Sequence, residues 1–152
     1  MKNLGNPQDK LFVLERLEKV RSDSVRAWGK MSAPQMICHL NDSFGSKLGE
    51  IHVQSAESLF KQTVLKWGAL WIPLRWPHGF KTPPELDQEF GGTAPVEFEA
   101  DKRKLVSLTD HFASKPAVLA VARHPFFGKM SAKEWMRWGY LHMDHHLRQF
   151  GC

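Results

Sequence analysis

The chain has 152 residues, 42% of them hydrophobic and 24% charged. This is enough to bury a core in one domain spanning 1–152 without disulfides, and it excludes wholesale disorder. The formal charge of +5 comes from 21 Lys and Arg interspersed among 16 Asp and Glu. The basic residues form no stripe and no nucleic-acid-reading motif is present, so no nucleic-acid partner is expected.

The two cysteines, Cys38 and Cys152, fit neither a disulfide framework nor a Cys-x-x-Cys motif. The N-terminus, Met1 to Pro7, turns polar at once and lacks the apolar core of a secretory signal. The most apolar run, Trp67 to Leu74, is far short of the ~20 residues that cross a bilayer. The expectation is a cytoplasmic protein with no membrane partner.

In chain order, the first helix is predicted to start at Asn6-Pro7, a cap followed by proline at the first helical position, with Asp9 in the first turn. Leu11, Phe12, Leu14, Leu17 and Val20 supply its apolar face, and Lys10, Glu15, Arg16 and Lys19 its wet side. Ser32-Ala33-Pro34-Gln35 is a capping box opening a second helix through Met36, Ile37, His39, Leu40 and Phe44, with Gly45 as its end signal. A third helix is predicted from about Ala56 to Trp71, with Leu59, Phe60, Val64, Trp67, Leu70 and Trp71 as its stripe and Pro73 as its stop.

The Pro- and Gly-rich stretch from Pro73 to Pro95 reads as an ordered crossover, anchored by Trp76, Phe80, Leu86 and Phe90. A fourth helix is predicted over roughly Val96 to Phe112. The short link Arg123 to Gly128 leads to a second capping box, Ser131 to Glu134, which opens the last helix. The pattern is all-α, with little sign of strands and none of repeats.

That last helix carries His142 and His146. Residues four apart share a helix face, so both imidazoles can meet one ion at ~2.0–2.1 Å. His39, on an apolar face of the second helix, is the best third ligand. His145 competes for the second place, being three residues from His142, but it is rotated about 100° from His146. Gln149 and Asp144 are candidates to orient a liganding ring. Met143 stands where a His-Glu-x-x-His peptidase helix has its glutamate, which argues against a zinc peptidase.

Two segments carry a resemblance: Trp28-Gly29-Lys30-Met31-Ser32-Ala33-Pro34-Gln35-Met36-Ile37-Cys38-His39-Leu40, and His142-Met143-Asp144-His145-His146-Leu147-Arg148-Gln149-Phe150. They resemble the DinB-like (DinB/YfiT) superfamily of metal-dependent proteins, close to a branch described mainly as a domain of unknown function. There an early helix carries Gln-x-x-x-His-Leu and the last helix carries His-x-x-x-His followed closely by Gln. The resemblance covers nearly the whole chain. It implies a four-helix bundle with a long crossover and a divalent ion, nickel or zinc, held by His39, His142 and His146. It also implies frequent dimerisation, here a homodimer, and in some relatives a low-molecular-weight thiol such as bacillithiol or mycothiol.

Three neutral ligands leave an ion its full charge and an open position, at which it acts as a Lewis acid toward water, a thiolate or a carbonyl. The expected activity is a hydrolase or thiol transferase acting on a small molecule. The alternative is a non-catalytic bundle serving metal binding, stress response or interaction. Asp42, one turn after His39, and Asp144 are the candidate bases, although such acids are more often solvated on the surface. His145, Asp42 and Gln149 are expected around the ion, and Arg75, Lys81 and Arg148 are the cations available to an anionic substrate. His78 and His124, each beside proline, are expected in surface turns or at the pocket mouth. Cys38 reads as a small buried hydrophobe.

Overall fold

The computed structural model describes residues 1–49, 59–79 and 82–152. It is an all-α bundle: α1 (Pro7–Glu18), α2 (Ala33–Leu48), α3 (Leu59–Trp71), α4 (Phe98–Ser114), the short α5 (Pro116–Val121) and α6 (Ala132–Gln149). α2 packs most extensively on α4, α1 lies along α6, and α6 also touches α2, α3 and α5. Among the described residues, no helix is long and apolar enough to cross a membrane.

Local chemistry sets the helix starts. The Asn6 side chain accepts from the amides of Gln8 and Asp9, and both capping boxes, Ser32 with Gln35 and Ser131 with Glu134, close reciprocally. α4 starts at Phe98 rather than Val96, because the Glu97 carboxylate caps the amides of Glu99 and Ala100; Val96 is left exposed. α2 does not end at Gly45. That glycine is buried inside the helix, and the left-handed turn falls at Gly49, whose φ is 92°.

The core contains Leu17, Met36, Leu40, Phe44, Phe112 and Trp135. Several expected apolar contacts fall elsewhere. In α1, Val13 is buried while Leu11 and Phe12 are exposed, and Phe12 carries the Lys2 ammonium over its ring at 4.3 Å. Arg16, expected on the wet side, is buried and donates to Asp144 and to the Cys152 carbonyl. In α3, Leu70 is buried but Val64 and Trp67 face outward. The expected start at Ala56 and the anchor Phe80 lie outside the described residues, and the Leu59 and Phe60 side chains are likewise not described.

The crossover after α3 is held at defined points. Trp76 donates from its indole to the Ala69 carbonyl at 2.8 Å, and Leu86, in a one-turn 3-10 helix (Pro84–Leu86), is buried. Phe90 is 80% exposed and anchors nothing. Two features had no clear sequence signal: α5, and a hairpin pairing β1 (Arg123–His124) with β2 (Gly128–Lys129).

Candidate metal centre

α2 delivers His39 and α6 delivers His142 and His146 to one point, where a nitrogen of each ring lies within 4.8 Å of the others. The Nε2 atoms of His39 and His142 are 3.2 Å apart. Two imidazoles each ~2.05 Å from a shared ion would subtend about 100° at that separation, within the range of tetrahedral and octahedral sites. His39 and His146 are buried, and His142 keeps slight exposure although its Nδ1 is fully enclosed.

Two of the three rings are oriented from behind. His39 Nδ1 lies 2.8 Å from the Leu86 carbonyl, which can only accept, so Nδ1 carries the proton and Nε2 presents its lone pair inward. His146 Nδ1 lies 3.0 Å from Gln149 Oε1. The Gln149 amide nitrogen donates to the Trp28 carbonyl at 2.8 Å, which fixes the amide with its oxygen toward His146. His146 is therefore also the Nδ1–H tautomer. His142 differs: its Nδ1 has no hydrogen-bond partner. Since His39 Nε2 holds a lone pair, the 3.2 Å contact needs a proton on His142 Nε2.

The cluster is held uncharged. Burial lowers the pKa of His39, against the pull of its Leu86 hydrogen bond and of Asp42 and Asp87. Burial, followed by the neighbouring histidines, pushes His142 well below the ordinary imidazole value. Burial, followed by His39, does the same to His146, opposed by the Gln149 hydrogen bond. Three neutral imidazoles are the ligand form a borderline divalent ion needs.

Of the other residues singled out in the sequence, His145 stands outside the cluster. Its ring is 5.1 Å from that of His146 and faces an aromatic mouth. There Trp28 stacks on His78 at 4.2 Å, and Trp76 lies 6.0 Å from His145 and 6.1 Å from His142. Burial lowers the His145 pKa to about 4, with Arg148 adding to the effect.

Asp42 is not a solvated acid. It is buried, and it accepts from Gln88 Nε2 at 2.9 Å, the Thr93 amide at 2.8 Å and the Thr93 hydroxyl at 2.7 Å. It therefore clamps the crossover that carries the Leu86 carbonyl. The Asp144 carboxylate turns to Arg16 at 2.6 Å and Arg148 at 3.0 Å. Arg75 and Arg148 line an open cleft of about 310 Å³ beside Trp76, and Lys81 lies outside the described residues.

His124, expected in a surface turn, is buried, with its ring stacked on Phe127 at 4.3 Å. Cys38 is buried and contacts Asp101, and burial drives its thiol up to about 12, so it is no thiolate nucleophile.

Residues 6–151 match the model of a family described as "Protein of unknown function (DUF1569)". The chain belongs to that family. No curated protein matches it, and neither does any solved structure. The family description names no reaction, so any functional reading rests on the geometry of the histidine cluster.

Proposed function

We propose that His39, His142 and His146 bind one divalent ion, nickel or zinc, and that the protein uses it as a metal-dependent enzyme of hydrolase or thiol-transferase type. The observation that carries this reading is the pair of fixed tautomers. Leu86 and Gln149 leave the Nε2 lone pairs of two rings free, with that of His39 3.2 Å from His142 Nε2 and a nitrogen of each of the three rings within 4.8 Å of the others, an arrangement with no purpose in an apolar core. The resemblance to the DinB-like superfamily supports it, since its motif residues are these same three histidines.

When bound, the ion supplies Lewis acidity at a position the protein leaves open. The chain's own groups do the rest. The Leu86 carbonyl and the Gln149 amide hold two rings in the ligating form. His142 gives up its Nε2 proton and takes one at Nδ1, because its lone pair is needed where the proton sits. Burial of the cluster excludes bulk water. The half-buried rings of Trp28, Trp76 and His145 form a mouth through which a small substrate reaches the ion.

The test is elemental analysis of the purified chain, before and after refilling with nickel or zinc, beside His39→Ala and His146→Ala. One ion per chain, lost in both variants, is expected. Absence of metal after refilling contradicts the proposal. A screen of thiol cofactors with electrophilic substrates then separates transferase from hydrolase.

A further inference from the structure

The same two helices carry a second polar cluster that the histidine site does not use. On α2, His39, Ser43 and Lys47 recur at four-residue intervals and share one face, with Lys47 about 12 Å along the axis from His39. Among the described residues, the fully enclosed Ser43 hydroxyl has no partner, and Lys47, 5% exposed, makes no hydrogen bond or ion pair with its ammonium. His124 lies near enough for the Lys47 charge to act on its ring, and it neighbours Trp135 of α6. The Trp135 indole N–H is fully buried and unpaired, and its ring is 5.8 Å from that of His124.

His124 completes the set. Its Nδ1 accepts from the amides of Phe126 and Phe127, both at 3.2 Å, so a neutral ring carries its proton on Nε2. Burial, reinforced by the nearby charge of Lys47, keeps that ring neutral. Burial also lowers Lys47 to about 8, which leaves it mostly charged at neutral pH.

All four groups are donors: an ammonium, a hydroxyl, an indole N–H and an imidazole N–H. The Ser43 hydroxyl and the Trp135 indole N–H are fully enclosed without a partner, and among the described residues no hydrogen bond or ion pair engages the Lys47 ammonium or His124 Nε2. Fully enclosed donors without acceptors, such as those of Ser43 and Trp135, are rare in native interiors, and a cation on a largely buried side chain is costly unless an anion meets it. A group that satisfied all four would be compact, rich in acceptors and negative. Long helical side chains lean toward the helix N-terminus, which for Lys47 is the direction of Ser43 and the three histidines.

We infer that Lys47, Ser43, His124 and Trp135 form a buried seat for the oxyanion, carboxylate or phosphate, of a small molecule. The seat goes beyond the metal reading and stands without it, since every group in it is outside the histidine triad.

The test uses the full metal-free chain and two probes, acetate and inorganic phosphate, titrated by calorimetry with Tm as a second readout. Saturable binding of at least one probe is expected, with a rise in Tm. The affinity should fall at least tenfold in Lys47→Met and should stay within threefold of wild type in His39→Ala. The preferred probe tells carboxylate from phosphate. Failure of both probes to saturate overturns the inference, as does equal affinity in Lys47→Met and wild type. If Lys47→Met does not fold, Ser43→Ala decides: weakened binding supports the seat, and unchanged binding overturns it. Loss of metal binding in His39→Ala leaves this result untouched, so the two proposals fail separately.

Discussion

Gln149 and His146 are joined by a 3.0 Å hydrogen bond whose direction is imposed from a third place, the Trp28 carbonyl at 2.8 Å from the amide nitrogen. The segment before α2 is thereby tied to the end of α6, and the Ala27 amide adds a bond to the Gln149 carbonyl. Gln149→Leu keeps the volume but frees the His146 ring to turn. Nickel or zinc affinity should fall about 10–100-fold, the usual cost of losing such an orienting partner. A competition titration against a chelator measures it.

Gly29 makes this tie sterically possible. Its φ is +79°, and a Cβ there would lie 2.6 Å from Gln149 Nε2. Gly29→Ala should cost about 1–3 kcal/mol and weaken metal binding as well, since the amide must move. Gly49→Ala is the control. It also has positive φ, 92°, but among the described residues nothing lies within 4 Å of the added Cβ. It should cost about 1 kcal/mol and leave metal affinity unchanged. Denaturant midpoints with parallel metal titrations separate the two.

Asp42 acts on His39 through the crossover. Asp42→Ala strands three donors, from Gln88 and Thr93, and loosens the segment presenting Leu86. A loss of about 2–3 kcal/mol is expected, with metal affinity lowered about tenfold. Asp42→Asn keeps an acceptor and should lose less of both.

The metal-free protein should lose stability in acid. His39, His124, His142 and His146 all have folded pKa values below the ordinary 6.5, with burial as the first cause. Below 6.5 the unfolded chain takes up protons that the folded one refuses, so stability falls as pH falls and is level above that point. Each of these histidines contributes up to about 1.4 kcal/mol per pH unit across its window. His145, lowered to about 4, extends the decline to that pH. Urea midpoints of metal-free protein at pH 7.5, 6.5 and 5.5 should show a plateau followed by a drop. Equal midpoints at all three would contradict neutral burial of the cluster.

The readable parts of the structure were those whose physics is local. The capping boxes at Ser32 and Ser131 are satisfied by residues three positions on, so their helix starts were legible. The shared face of His142 and His146 follows from helix pitch alone, and the apolar setting of His39 pointed to the same interior. The partners that orient these rings were less legible. The Leu86 and Trp28 groups are backbone carbonyls, identical in every residue, so no side chain marks them.

The errors have separate causes. Val64 and Trp67 are apolar but exposed, because helical spacing cannot say which face meets a neighbour, and Phe90 is exposed in the crossover, where no periodicity tells an anchor from a surface residue. Asp42 is buried because its partners come from the distant crossover, and His124 because the local hairpin turns its ring inward onto the amides of Phe126 and Phe127. The unpaired donors at Ser43, Lys47 and Trp135 had a signal in part, the four-residue recurrence after His39. Only the structure shows that the enclosed Ser43 and Trp135 groups lack acceptors.

The most direct test of the metal reading is an anomalous-scattering map from crystals of the purified protein refilled with nickel or zinc. A single peak ~2.0–2.1 Å from Nε2 of His39, His142 and His146 is predicted, with Leu86 and Gln149 still bonded to the outer nitrogens of their rings. A peak elsewhere, or imidazoles turned apart around an empty centre, would contradict it.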